Sequence, residues 1–528
     1  MDKIVSARQA VDRIGDGENL LISGLISLLC PEKTVSALEE RFLRTGSPRD
    51  LTVITPIRIG WKADEPSGME HLAHPGLLKR HITGSLHPKE GKEIMRMIQE
   101  NEIEGYMWPM GPLFEWIAAI AAGKPGAITD VGIGTYFDPR LGGGALNERT
   151  TQPLHKHLVV DGHDLLYLPS IPIHTAIITA STADEDGNLS YETDPVKLDN
   201  LYMAAAAKNS GGKVIAQVKK VVPRGTIPPH AVVVPGILVD AVVVDELQLQ
   251  TRLPYDPSLT GERPKPLAQL QKHLPLDHRK VLLRRAALEL RRRSVVNLGI
   301  GVGVDLPYVL MEEGCLQQVT FFLEHGVVGG IPGDAAIFGA HYNPTAILDS
   351  MFTFDYYHGG GLDFTVLGIA QLDRFGNVNV SKFSSRLRGP GGLIDITHRT
   401  RTLLFVGSMT AGGLMESVED GRLRIDQEGR VSKFVKDVEQ ITFNGVQALQ
   451  RGQRVLYIFD RCVFTLEEDG LLLVELAPGI DLETQVRPHI PFAFRVPERL
   501  REMDPRIFRH GPMGLILSGK AEGKEDNQ

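Results

Sequence analysis

The run SVVNLGIGVGVDLPYVLMEEG, Ser294 to Gly314, decides the fold. It reads as an apolar strand (Val295 to Leu298), a glycine turn (Gly299 to Gly303) and a helix reaching Glu313. The same order occurs earlier in NLLISGLISLLCPEKTVSALEE, Asn19 to Glu40, where the strand Leu20 to Ser23 leads through Gly24 into an amphipathic helix. A second pair is closer. HTAIITASTADEDGNLSYE from His174 and LDFTVLGIAQLDRFGNVNVSKF from Leu362 each give an apolar strand, an acidic turn, Gly-Asn and an alternating strand. A third pair, GGKVIAQVKKVV from Gly211 and TRTLLFVGSMTAGG from Thr400, gives strands that follow helices. Continuous apolar strands alternating with helices predict parallel sheets covered on both faces. The fold class is therefore α/β, with two tandem domains of similar topology.

Pro254, Pro257, Pro264 and Pro266 oppose a continuous helix or central strand and place the boundary in TRLPYDPSLTGERPKP. The expected division is a first domain over 1–250, a linker over 251–275, a second domain over 276–515 and a tail over 516–528. Residues 57–97, rich in Gly, Pro and His, read as an excursion from the first domain, and the last eight residues as frayed.

The 528 residues carry 57 Lys+Arg against 65 Asp+Glu, a formal charge of −8, which gives no electrostatic reason to expect nucleic acid or an anionic membrane as partner. Cys30, Cys315 and Cys462 lie far apart, which argues against a disulfide or zinc framework and for a reducing compartment. Charge is spread through the first residues, so they do not read as a signal peptide, and the apolar stretch Phe114 to Ala122 is too short for a membrane span. A cytoplasmic location is expected, with no metal.

QVTFFLEHGVVGGIPG, Gln317 to Gly333, carries the strongest chemical signal. A strand, Val319 to Leu323, ends in the acid Glu324, followed by Gly326, Gly329, Gly330 and Gly333. Such a carboxylate can face a crevice and receive N–H bonds that keep it ionised despite Phe322 and Val327; a helix-capping or turn carboxylate is the plain alternative. Gly299, Gly301 and Gly303 open a helix and can meet a phosphate or polar ligand. They fail as a dinucleotide fingerprint, because Val304 stands where a glycine is required. GGGLDFTVLG (from Gly359) and RGPGGLIDI (from Arg388) add two glycine clusters, which together predict a bound extended ligand. GLILSGK at 514–520 lacks the P-loop Ser/Thr, and HKH at 155–157 lacks further metal ligands.

On these residues the chain resembles the family I coenzyme A transferases. The likeness lies in E-x-G-x-x-G-G-x-P at Glu324 to Pro332, GGGLD at 359–363, GNVNVSKF at 376–383 and G-x-GG at 389–392. In the first half it lies in IAAGKPGAITDVGIGTYFDPRLGGG (from Ile120), GGKVIAQVKKV (from Gly211) and PGILVDAVVV (from Pro235). It is closest to the single-chain acetate/propionate type. The resemblance implies ping-pong transfer of CoA between a short- or medium-chain acyl-CoA and a free carboxylate, in short-chain fatty acid or ketone-body metabolism. Glu324 would attack the thioester, passing through a mixed anhydride to a γ-glutamyl-CoA thioester. It further implies that Gly392 offers its N–H to the oxyanion, and that Gly299, Gly301, Gly303, Asn379, Lys382 and Gly391 line the CoA channel. CoA would be a co-substrate, no cofactor would be permanently bound, and the chain would form a homo-oligomer.

One departure stands out. The family pattern has glutamine in a P-Q-G segment as a second oxyanion donor, and this chain reads Trp108-Pro109-Met110-Gly111. Methionine has no N–H to give. GLISLLCP (Gly24 to Pro31) also lacks an expected glycine cluster, so Leu28, Leu29, Trp108 and Met110 are candidates for an enlarged apolar acyl pocket, with core packing the alternative. An acyl-CoA hydrolase on the same scaffold and a non-catalytic acyl-CoA binder are the rival readings.

Overall fold

The computed structural model describes residues 3–519 except 63, 89, 384 and 385. Two main sheets hold nine and eight strands; the sixteen that form their two continuous paths are numbered here in chain order, and the short strand Leu189–Ser190 pairs antiparallel with Thr175–Asp184. In the first half they are β1 (Ile4–Val5), β2 (Asn19–Ile22), β3 (Leu51–Thr55), β4 (Leu78–Thr83), β5 (Glu104–Met107), β6 (Thr175–Asp184), β7 (Lys213–Val222) and β8 (Ala241–Val244). In the second half they are β9 (Val295–Leu298), β10 (Thr320–Phe321), β11 (Phe364–Gly368), β12 (Thr402–Gly407), β13 (Arg454–Phe459), β14 (Cys462–Glu467), β15 (Gly470–Leu476) and β16 (Arg501–Glu502).

The first sheet runs β1-β8-β7-β6-β2-β3-β4-β5, every neighbouring pair parallel. The second runs β10-β9-β11-β12-β13-β14-β15-β16. Its β10-to-β13 stretch is parallel and continues through an antiparallel meander. The block β3-β2-β6-β7-β8 of the first sheet has the same strand order as β10-β9-β11-β12-β13 of the second. The three paired sequence motifs fall on β2 with β9, β6 with β11 and β7 with β12. The pairing extends to single atoms. Asp184 Oδ1 accepts from the N–H groups of Asp186 and Asn188, and Asn188 Nδ2 returns to Asp184 Oδ2. Asp373 does the same with Phe375 and Asn377. Asn188 Oδ1 then accepts from Gly236 N, as Asn377 Oδ1 does from Gly445 N. Each D-x-x-G-N turn is thus an acid wrapped by its own backbone donors, a geometry fixed by local sequence.

Residues 57–97 correct the reading of an excursion. They contain β4, which pairs in parallel with both β3 and β5 and so lies inside the sheet. Lys79, Arg80 and His81 disguise it. His81 is 1% exposed, and its Nε2 lies 2.9 Å from Thr55 Oγ1. The proline-rich strap is tied down: Asn343 N donates to Ser258 O, and Arg252 reaches Ala335 O. At the other end Arg292 N donates to Ser518 O, while residues 520–528, where the frayed tail is expected, lie outside the described residues. Among the described residues no helix is long and apolar enough to cross a membrane.

Three helices position the site: α1 (Met110–Ala121), α2 (Ser350–His358) and α3 (Leu393–Arg399). Ten of the twelve α1 residues are buried, which accounts for its nearly unbroken apolar sequence.

Candidate active site

The chain leaves β10 and delivers Glu324 into the seam between the halves, where the residue is 6% exposed. Glu324 Oε2 accepts from Asn297 Nδ2 at 3.1 Å. Asn297 lies in the neighbouring strand β9, and its amide also reaches Tyr357 Oη at 3.1 Å. Tyr357 in turn donates to Phe322 O at 2.6 Å. Asn297 and Tyr357 thus set the direction of the acid. The available sequence signal was an amide inside the apolar strand VVNL, which is costly to bury unless it has work to do.

Burial pushes the Glu324 carboxyl up to about 7, against the pull of its own backbone N–H and of Asn297, and buried Asp395 adds to the rise. The expectation that N–H donors hold it fully ionised is therefore met only in part, because desolvation exceeds the two hydrogen bonds. A protonated carboxyl is a poor nucleophile. On the role that the resemblance to the CoA transferases gives Glu324, the single-turnover rate of acyl-CoA consumption should fall with a one-proton slope as pH drops through about 7. A profile that is flat between about pH 5.5 and 8.5 would contradict this.

Gly392 caps α3, and a Cβ placed on it would lie 3.4 Å from Glu324 Cγ. Its backbone is therefore against the acid. The loop before it docks on the first half, with Leu86 N donating to Arg388 O at 2.9 Å and Gly391 N donating to Gly84 O at 3.1 Å. The Gly391 amide is spent on that contact. Met110 opens α1 and is buried beside Gly84, whose added Cβ would meet Met110 Cγ at 2.9 Å. Glu324, Gly392 and Met110 thus come together around one inter-half seam.

The structure places the other candidates elsewhere. Trp108 is fully buried, and its ring meets Trp116, Phe137 and His155 at 5.3, 5.4 and 5.1 Å between centroids. Leu28 closes a tight turn with Leu25, and it is Leu25 that reaches the Glu324 segment: a Cβ on Gly339 would lie 2.4 Å from Leu25 Cδ2 and 3.1 Å from His325 Nδ1. In this turn Ile26 and Leu29 adopt φ of 55° and 50°, the left-handed region glycine would occupy freely. The missing glycines are replaced by strained residues, held by Ile26 N to Arg58 O and Thr179 Oγ1 to Leu29 O, each 2.8 Å.

Of the glycine turn, Gly299 and Gly303 pack on Leu367 and Val366 of β11, while Gly301 is exposed with open space around it. Asn379 is fully buried, its amide donating to Gln371 Oε1 and Lys382 O, so it shapes the loop. Lys382 lies on an open cleft of about 670 Å³ shared with Leu387 of the second half and Asn101 and Asn147 of the first. His155 and His157 diverge, one bonding Phe137 O and the other Asp164.

A buried acid just past the end of a parallel strand, beside a helix-capping glycine at the seam of two duplicated α/β domains, defines a class, and comparison with known proteins gives the same one. Residues 4–245 match the family described as coenzyme A transferase. The chain is 40% identical over 517 residues to acetate CoA-transferase YdiF of Escherichia coli K12, covering 97% of this chain and 96% of that protein. It is 38% identical over 531 residues to caffeate CoA-transferase of Acetobacterium woodii, covering 98% and 100%. The crystal structure of the Escherichia coli O157:H7 acyl-CoA transferase YdiF in a thioester complex with CoA superposes with a TM-score of 0.91, at 38% identity over 98% of both chains. The chain belongs to the single-chain family I coenzyme A transferases. It is an enzyme that moves CoA, its co-substrate, between an acyl-CoA and a carboxylate.

Proposed function

We propose that transfer is ping-pong, runs through Glu324, and moves CoA between a short- or medium-chain acyl-CoA and a free carboxylate. The observation that carries this reading is the Glu324 side chain, buried, aimed by Asn297 and packed so close to Gly392 that a Cβ there would lie 3.4 Å from its Cγ. Glu324 carboxylate attacks the acyl-CoA carbonyl, the C–S bond breaks, and a mixed anhydride and CoA thiolate form. The thiolate attacks the glutamyl carbonyl, releasing the first carboxylate and leaving a γ-glutamyl-CoA thioester. A second carboxylate reverses both steps and departs as its CoA thioester. Over the complete exchange one thioester is replaced by another, so no external energy source enters the balance. The thermodynamics are nearly neutral, and the barrier is lowered by positioning and by N–H groups aimed at developing charge. The Gly392 N–H takes the oxyanion, while Gly301 and Lys382 lie toward the remote part of CoA, whose binding orients the thioester.

Incubation with acyl-CoA alone should yield one CoA adduct on Glu324 by intact mass and peptide mapping. Its absence under conditions where acyl-CoA is shown to bind would reject the reading. Met110 leaves the first half without the side-chain donor of the family pattern. Met110→Gln should raise kcat with acetyl-CoA by up to about tenfold while weakening the preference for longer acyl chains. A lower kcat on every acyl-CoA tested would show instead that Met110 serves packing alone.

A further inference from the structure

Three helices that reach the Glu324 seam from separate parts of the chain meet on one imidazole. His358 ends α2, with Nδ1 2.9 Å from Glu115 Oε1 of α1 and Nε2 3.0 Å from Asp395 Oδ1 of α3. The Asp395 side chain is fully buried and that of Glu115 is 18% exposed. Each helix carries a part of the site: α1 begins at Met110, α2 holds Tyr357, and α3 is capped by Gly392. We propose that His358, held as an imidazolium between Glu115 and Asp395, is the positioning residue that registers α1 of the first half against the Glu324–Gly392 pair of the second. The proposal rests on Glu324 as nucleophile.

The chemistry of the ring supports it. A neutral imidazole has one donor, so only the doubly protonated ring donates to two carboxylates at once. Burial alone would lower its affinity for the proton, but the hydrogen bonds and charges of Asp395 and Glu115 prevail and raise it to about 10. The space is built for this pair. A Cβ on Gly111, the second residue of α1, would fall 2.2 Å from Asp395 Oδ1 and 2.6 Å from His358 Cε1. Asp355 on α2 and His398 on α3 also face the ring, His398 with its centroid 5.8 Å away and itself paired with Asp130.

The imidazolium has a second consequence. Buried Asp395 is close enough to Glu324 to raise its pKa. Cancelling the Asp395 charge limits that rise and keeps more of the nucleophile ionised. Burial pushes the Asp395 carboxyl itself above the usual carboxylate range and the imidazolium pulls it back down; with Asp395 ionised, removing the cation moves the acid limb of the reaction to higher pH.

The test follows the Glu324 adduct formed from acyl-CoA alone, as a function of pH, in the full-length enzyme. His358→Gln keeps one donor and loses the charge. It should slow adduct formation about tenfold at neutral pH, move the acid limb up by about one pH unit, and leave KM for acyl-CoA within about twofold. His358→Gln with Asp395→Asn removes the uncompensated charge, and should restore the acid limb while the rate stays low because α1 is still unpinned. If His358→Gln does not fold, Glu115→Gln, which alters the more exposed end of the pair and leaves the imidazolium on Asp395, should give a smaller rate loss with the acid limb moved slightly down instead of up, because an anion is removed while the cation stays. A wild-type rate and pH profile in the variant that folds overturns the proposal, as does a rate loss with no pH shift. A wild type that forms no adduct rejects the Glu324 reading instead. Steady-state exchange then judges His358 by itself, and an unchanged kcat in His358→Gln overturns it.

Discussion

Glu324→Ala is expected to reduce CoA exchange by on the order of 10⁴-fold or more, with acyl-CoA binding retained. Under the proposed mechanism the loss follows from covalent catalysis: without the carboxylate no anhydride forms, and water at ordinary concentration does not replace a held nucleophile. The alanine variant should also give no mass adduct. Glu324→Gln sharpens the argument, because it preserves volume and can still bond Asn297 but cannot attack. It should be as inactive as the alanine variant and at least as stable, since it relieves a buried acid whose carboxyl burial already pushes up to about 7. Exchange by Glu324→Gln at more than about a hundredth of the wild-type rate, with deamidation excluded by mass, would place the nucleophile elsewhere.

Gly326→Ala should come next in size, and it acts through shape. Gly326 lies two residues after Glu324 with φ at 91°, and a Cβ there would fall 2.1 Å from Leu348 O. That carbonyl cannot simply swing aside, because Leu348 N donates to Gly326 O at 2.8 Å, closing a two-way clamp. The left-handed conformation costs about 1–2 kcal/mol and the forced contact about 1–3 kcal/mol, for a total near 3 kcal/mol. Thermal denaturation should register this as a loss of roughly 3–6 °C in Tm. The rate should fall about 10²-fold, because a shift of about 1 Å in the loop misplaces the acid beside it. Gly314→Ala separates the two causes. Gly314 has φ of 68° but open space around the added carbon. It should lose about 1 kcal/mol and keep its activity. Equal damage in both variants would refute the steric account.

The contrast between these two glycines shows where reading along the chain stops. Both stand in glycine-compatible turns, and only the position of Leu348 makes one indispensable. Trp108 illustrates the same limit. Its place before Met110 made it a pocket candidate, yet its ring is taken up by Trp116, Phe137 and His155. The strand β4 was hidden because the Lys79-Arg80-His81 run breaks the apolar pattern, although His81 is buried against Thr55. The resemblance to CoA transferases, by contrast, was carried by short contiguous motifs and needed no coordinates.

The amino-acid sequence alone determined the duplicated strand–turn–helix plan, the acid-wrapped D-x-x-G-N turns and the family, because each depends on residues within about twenty positions of one another. Tertiary structure alone decided that Asn297 and Tyr357 aim Glu324, that burial leaves its carboxyl near half-protonation at neutral pH, and that Glu115, His358 and Asp395 meet across the seam. Those are matters of distance and dielectric between residues far apart in the chain. Glu115 and Asp395 are 280 positions apart in the chain, and no local periodicity records that one imidazole joins them.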